Sequence, residues 1–350
     1  MTDVSETATP TAIQIASDLP GHCEYRRLWD GRSDGVELLR LTVGGAAATI
    51  CPTRGLGVLA FSYSAEDGTG DDLTELAWES PVGPGPVHPS LVDLSARSGL
   101  GWLDGFTELV ARCGLSFNGP PGHDEAGPPL ETDITLHGRI ANLPASGVSV
   151  TAAGQAIVVR GCVHEVTLFG ANLLLQTAIT LDPAGTLTIE DEVSNPSSRP
   201  QEMQLLYHIN VDPSRLGTAG GLPALTPPAG PMESRDADAE AGASRWTAID
   251  PPTPGYAEQV FFITPEDDGS GTATTELGSE RHRLRVHQSL GTLPHLAIWK
   301  CFQDRRDGYV LGIEPATGFP NFKADERRDG RVVTLAPGQS RTHRVVLDLS

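Results

Sequence analysis

Apolar residues along this chain fall in short runs with β-branched content and every-other-residue alternation, separated by clusters of Gly, Pro, Asp and Asn. That period belongs to strands, whose successive side chains point to opposite faces of a sheet. Helix-period stretches are scarce. The pattern predicts strands over 36–43, 46–51 and 56–63, broken at Gly44-Gly45 and at the turn 52–55. A meander follows over 157–160, 165–169, 173–181 and 187–193, and then a strand over 201–211. Its turns, such as Asp182-Pro183-Ala184-Gly185, carry residues that supply a fixed or positive φ. Further strands are expected over 260–263, 283–288, 295–302, 309–313 and 332–335, with 341–349 closing the chain. Short strands at regular spacing predict an all-β protein built as one large antiparallel β-sandwich, a single domain over 1–350.

Two stretches interrupt the pattern. Residues 65–105 hold a Pro/Gly run flanked by Trp78 and Trp102, and 213–254 are rich in Pro, Gly, Ala and Asp. Loops of this length are usually lids, binding loops or disordered excursions. A short helix is expected within the second, over 234–246.

Charge narrows the choice of partner. A net charge of -20 repels phosphate backbones and anionic membrane surfaces, so neither nucleic acid nor membrane is an expected partner. Five cysteines lie far apart with no C-x-x-C pair, which argues for free thiols in a reducing compartment. The N-terminal stretch has acidic residues and no apolar core of a signal peptide, so the expected location is cytoplasmic. The sequence does not indicate the oligomeric state.

Three segments put ionisable residues beside Gly, Asn or Pro at predicted strand ends: Leu136-His137-Gly138-Arg139, Tyr207-His208-Ile209-Asn210, and Gly312-Ile313-Glu314-Pro315. A histidine titrates near neutrality and a glutamate is tuned upward by burial, so a His/Glu pair suits proton transfer at both ends of a reaction. In a strand each could instead be structural. Trp78, Trp102 and Trp299 are candidates to stack on a ligand ring, although a tryptophan so placed more often belongs to the core.

These segments resemble the galactose mutarotases (aldose 1-epimerases). The run 173–210 is similar to their central meander, with His208 and Asn210 at the family's His and Asn positions. Glu314-Pro315 resembles their C-terminal glutamate motif, and His137-Gly138 their upstream His-Gly. Where mutarotases carry Asp-His, this chain has Glu258-Gln259. A bacterial branch of the superfamily is more similar still. It shares His137-Gly-Arg139, Glu258-Gln259-Val-Phe261 and Gly312-Ile-Glu314-Pro-Ala-Thr317, as well as Arg54-Gly55-Leu56 and Cys113-Gly114-Leu115.

The resemblance implies the galactose mutarotase-like supersandwich, a small carbohydrate as ligand and no cofactor or metal. Glu314 would be the base, His208 the acid, and His137 would orient the ring or share its proton. Arg54, Arg139, Asn210, Glu258 and Lys300 would bind hydroxyls or a charged substituent, and the cations among them would suit a sugar acid or phosphate. Two other readings stay open. One uses His137, His208 and Glu314 as a metal site in a sugar isomerase, epimerase or lyase. The other is a carbohydrate-binding protein without catalysis.

Overall fold

The computed structural model describes residues 13–64, 74–128, 131–218 and 221–350. Two large sheets face each other. One has nine strands, with Ser146–Ala153, Ala156–Val166, Asn172–Asp182, Thr186–Ser194, Ser340–Leu349, Arg283–Ser289 and Thr272–Gly278 side by side. The other has twelve; its middle runs Gln259–Ile263, His295–Phe302, Tyr309–Ala316, Gln201–Val211, Val110–Leu115, Gly57–Tyr63. Among the described residues, pairing in both is antiparallel apart from Gln14–Ile15, which runs parallel to Ser149–Val150. The expected all-β sandwich is what the chain forms.

One apolar core fills the space between the sheets. Ile157, Leu175, Ile179, Ile189 and Leu347 from the first meet Leu39, Ile50, Leu205, Tyr207 and Ile209 from the second. Alternation explains the division: each strand of the first sheet sends every second side chain inward and the rest to solvent. The middle strands of the second sheet are covered on both faces, so Gln201–Val211 and Tyr309–Ala316 are buried almost throughout. On the face turned away from the core, Ala111, Cys113, Leu206 and Ala316 form a second apolar cluster with Trp78, Trp102 and Phe106.

A buried ion pair ties the two sheets together. Arg112 Nε and Nη2 donate to the two Asp191 oxygens at 2.6 and 2.9 Å, and Tyr207 Oη donates to Asp191 Oδ2 at 2.8 Å. The remaining guanidinium hydrogens reach the Gly55 and Leu56 carbonyls and Thr177 Oγ1. Arg112 and Tyr207 are the strand neighbours of Ala111 and His208, so this contact holds the backs of the strands whose fronts carry the second cluster.

Several details depart from the expected pattern. The stretches 157–160 and 165–169 belong to one continuous strand that ends at Val166, where a turn places Phe169 at φ +69°. Strands His22–Arg27, Val110–Leu115, Ser146–Ala153 and Thr272–Gly278 were not anticipated. The expected helix over 234–246 is shorter, Ala237–Gly242, followed by a 3-10 turn. Of the two expected loops, residues 65–73 and 219–220 lie outside the described residues, as does most of the acidic N-terminal stretch. The remainder of the first folds into short turns carrying Trp78 and Trp102. Among the described residues no helix is long and apolar enough to cross a membrane.

Candidate active site

Strand register brings the ionisable residues together. Leu206 pairs with Ala316 and Ile209 with Ile313, which sets His208 directly across from Glu314. Glu314 in turn faces Ala297, and His208 faces Ala111. The row across the sheet therefore reads Ala, His, Glu, Ala, with Ala111 and Ala297 each packed in an apolar cluster on either side of the functional pair. Above it lies a cavity of about 550 Å³ lined by His137, His208, Glu314, Glu258 and Arg235 together with Trp102, Phe106 and Trp299.

Glu314 Oε1 stands 3.3 Å from His208 Nε2, and both side chains are nearly inaccessible to solvent. Glu314 Oε1 and His208 Nδ1 have no hydrogen-bond partner within the protein, nor has the indole N–H of Trp102. Buried polar atoms left open in a cavity wall are costly unless a ligand completes them. Aromatic rings enclose the imidazole: Phe106 at 4.9 Å, Trp299 at 5.2 Å and Trp102 stacked at 6.2 Å between centroids.

The second histidine reaches the site from a strained turn. His137 and Gly138 both adopt left-handed backbone, at φ +55° and +75°. A Cβ on Gly138 would lie 2.2 Å from the Gly114 carbonyl oxygen, so only glycine fits there. His137 N donates to Gly119 O, and its own carbonyl accepts from Gly114 N, which fixes the turn. Its ring stands edge-on to His208 at 5.7 Å, with Nδ1 3.1 Å from Asn118 Oδ1. When Nδ1–H donates to that oxygen, the Nε2 lone pair is left free.

Burial in this apolar enclosure moves the titrations apart. Glu314 is pushed up to about 8 by burial, with the Glu258 carboxylate adding to the rise and Arg235 opposing it. His208 is held well below its ordinary value by burial and by the neighbouring His137, with the nearby Asn210 side chain opposing the fall. His137 is pushed down to about 4 by burial. Through neutrality the dyad therefore holds a single proton, and its titration belongs to the pair.

A stability test follows. Between the ordinary carboxyl value of 4.5 and about 8, the unfolded chain ionises Glu314 while the folded one keeps its proton. The folded state then binds more protons, so this group's contribution to stability declines as pH rises through that window and levels off above it. Glu314→Gln removes the decline. In melts at pH 5, 7 and 9 the variant should gain progressively on the native protein; a constant gap would show that the carboxyl is not buried as described.

Glu258 completes the polar side of the wall, where Oε1 accepts from Arg235 at 2.9 Å and Oε2 from the Trp299 indole N–H at 3.0 Å. Gly312 explains how Trp299 and Glu314 can lie so close. A Cβ there would sit 2.6 Å from Glu314 Oε1 and 3.0 Å from Trp299 Cβ. Gly312→Ala is thus expected to displace the carboxylate and lower any activity of the dyad by about 10²-fold, the scale of a 1 Å misplacement. A circular-dichroism melt serves as the fold control, and undiminished activity would mean the carboxylate position is immaterial.

The structure does not place the other expected binding residues in the cavity wall; their N–H groups are bonded elsewhere. Arg54 is wholly buried, paired with Glu108 and bonded to Val87 O and Asn142 Oδ1. Arg139 is bonded to Glu131 and stacked over Phe117. Lys300 points to the opposite side of its strand from Trp299, where its ammonium donates to Arg245 O and burial lowers its pKa. Asn210 shares the face of His208, but its amide donates to the Glu108 and His208 carbonyls. Conversely, Arg235 follows the short strand Met232–Ser234 and belongs to none of the expected motifs; only its contact with Glu258 marks it. Among the described residues, no group of three or more His, Cys, Asp or Glu side chains is arranged to hold a metal ion.

Residues 33–349 match the family model described as "Domain of unknown function (DUF4432)". The chain belongs to the DUF4432 family. No curated protein matches it in sequence. Among solved structures, this DUF4432 protein is similar to a Klebsiella pneumoniae protein described as "a putative aldose 1-epimerase". The two are 29% identical with a TM-score of 0.84, over 93% of this chain and 83% of that one. It is also similar to a galactose mutarotase-like protein from Clostridium acetobutylicum, with 16% identity and a TM-score of 0.60 over 94% and 98% of the two chains. A galactose mutarotase-like protein from Lactobacillus casei gives 15% and 0.58, over 89% and 100%. The fold of the DUF4432 chain is that of the galactose mutarotase-like proteins.

Proposed function

We propose that this DUF4432 protein is an isomerase that interconverts the anomers of a free aldose, using Glu314 and His208 as its acid/base pair. The observation that carries the reading is the 3.3 Å approach of the Glu314 carboxyl to His208 Nε2 in the wall of a cavity that opens to solvent. Likeness to the Klebsiella protein supports the same reaction class.

In the proposed cycle the dyad's one proton passes from Glu314 to His208, and sugar hydroxyls stabilise the resulting carboxylate. Glu314 then takes the proton of the anomeric hydroxyl while His208 Nε2 protonates the ring oxygen. The bond between the anomeric carbon and the ring oxygen breaks, giving the open aldehyde with Glu314 protonated and His208 neutral. Rotation about the adjacent carbon–carbon bond and the reverse transfers close the other anomer. No proton is gained or lost overall. His137 orients the sugar through its free Nε2, and the faces of Trp102 and Trp299 suit the C–H side of a pyranose ring.

Exchange NMR on a panel of aldoses, comparing anomer interconversion with and without protein, tests the reading. The active state holds one proton, so exchange should fall as pH rises past about 8, where the pair loses it. Binding of sugars with no acceleration at any pH would leave a carbohydrate-binding protein in place of an enzyme.

A further inference from the structure

The cavity is divided by chemistry in a way that the acid/base pair does not require. Its inner end carries His137, His208 and Glu314, whereas at its mouth the half-exposed Glu258 is joined by the apolar Leu100, Leu103 and Phe322, with prolines beside them. Leu100, Leu103 and Phe322 are 37%, 42% and 54% exposed, so three of the large exposed apolar residues of the protein converge on one opening. Exposed apolar groups scattered singly need no account, but a cluster rimming a polar pocket marks a binding surface. The Phe322 ring lies beside Gly122, where an added Cβ would stand 3.4 Å from it.

Size and charge point the same way. At about 550 Å³ the cavity is of the class that encloses drug-sized ligands, and a single pyranose ring over the dyad leaves the mouth unfilled. Arg235 is the one lysine or arginine among the described residues lining it. Its guanidinium is already opposed by two carboxylates, Asp236 at 2.7 Å and Glu258 at 2.9 Å. The other cations that would have welcomed an acidic sugar, Arg54, Arg139 and Lys300, are bonded elsewhere. A carboxylate or phosphate entering the cavity would thus meet the Glu258 carboxylate with no uncommitted cation to offset it.

We infer that the substrate is an uncharged aldose carrying an apolar substituent away from its anomeric carbon, with the substituent seated against Leu100, Leu103 and Phe322. This rests on the anomer-exchange reading and adds the substrate class to it.

The test measures both exchange and binding on the full chain. The probes are D-galactose and D-glucose, their butyl ethers at O3, O4 or O6, and the corresponding uronates and 6-phosphates. At least one ether should be favoured over its parent by about tenfold or more in kcat/KM, as expected for burying several methylene groups. The uronates and phosphates should fall below the parents. Phe322→Ser should shrink the ether-to-parent ratio severalfold. Ethers no better than parents, or anionic sugars preferred, would overturn the substrate class while leaving anomer exchange standing. If nothing is exchanged, the isomerase reading fails, and the same ranking of dissociation constants decides the substrate class on its own. Absence of any measurable binding would overturn both.

Discussion

Replacing Glu314 by Gln is expected to slow anomer exchange by ~10²–10⁴-fold, the usual worth of a positioned proton-transfer group. Gln has nearly the same shape, so the ring-binding surfaces of Trp102 and Trp299 persist and sugar affinity should change far less than turnover. The exchange rate at saturating sugar, compared with the dissociation constant from titration, separates the two. The variant also removes the ionisable carboxyl beside the His208 Nε2 atom, so the pair no longer shares a proton. The decline in rate above pH about 8 should disappear along with most of the rate. Turnover unaffected by the substitution would remove Glu314 from the chemistry.

Asp191→Ala is expected to destabilise the protein by about 3–5 kcal/mol, because it strands a buried arginine without its counter-charge. Arg112 and Asp191 are both essentially inaccessible, and the same carboxylate receives the Tyr207 hydroxyl. Denaturant titration measures the loss. Its second consequence concerns the site: Ala111 and His208 share their strands with Arg112 and Tyr207, so loosening the inner face should disturb the register that sets His208 opposite Glu314. Replacing both Arg112 and Asp191 by apolar residues of similar volume should recover much of the stability, since the loss comes from the stranded charge. A small effect of Asp191→Ala alone would mean that water reaches Arg112.

How much of this was legible in the chain depends on the element. Asn172–Asp182 and Thr186–Ser194 were readable because one face packs on the core and the other meets solvent, which writes a strict alternation into the residues. Ser146–Ala153 and Thr272–Gly278 were not, because each offers only a few small apolar groups to the core. Val110–Leu115 escaped for a different reason. It is buried throughout, yet it contains an arginine and a glycine, and the partner that permits Arg112 there lies far along the chain at Asp191. In the site, His137, His208, Glu314 and Glu258 stand in recognisable motifs and line one cavity. Arg235 stands in none.

By itself the order of residues determined the class of fold, most strands of the two sheets, and which imidazoles and carboxyl groups were candidates, because these depend on local periodicity and short motifs. Only the tertiary structure decided which charges are available to a ligand. Arg54, Arg139 and Lys300 look as free in the sequence as Arg235 does, but each meets its acceptors through backbone or side chains brought from elsewhere in the chain. The same holds for the titration of Glu314, which is set by burial in the cavity wall, with Glu258 and Arg235, and not by its neighbours in sequence. Desolvation and charge pairing act through space, and strand register is what converts distance along the chain into contact.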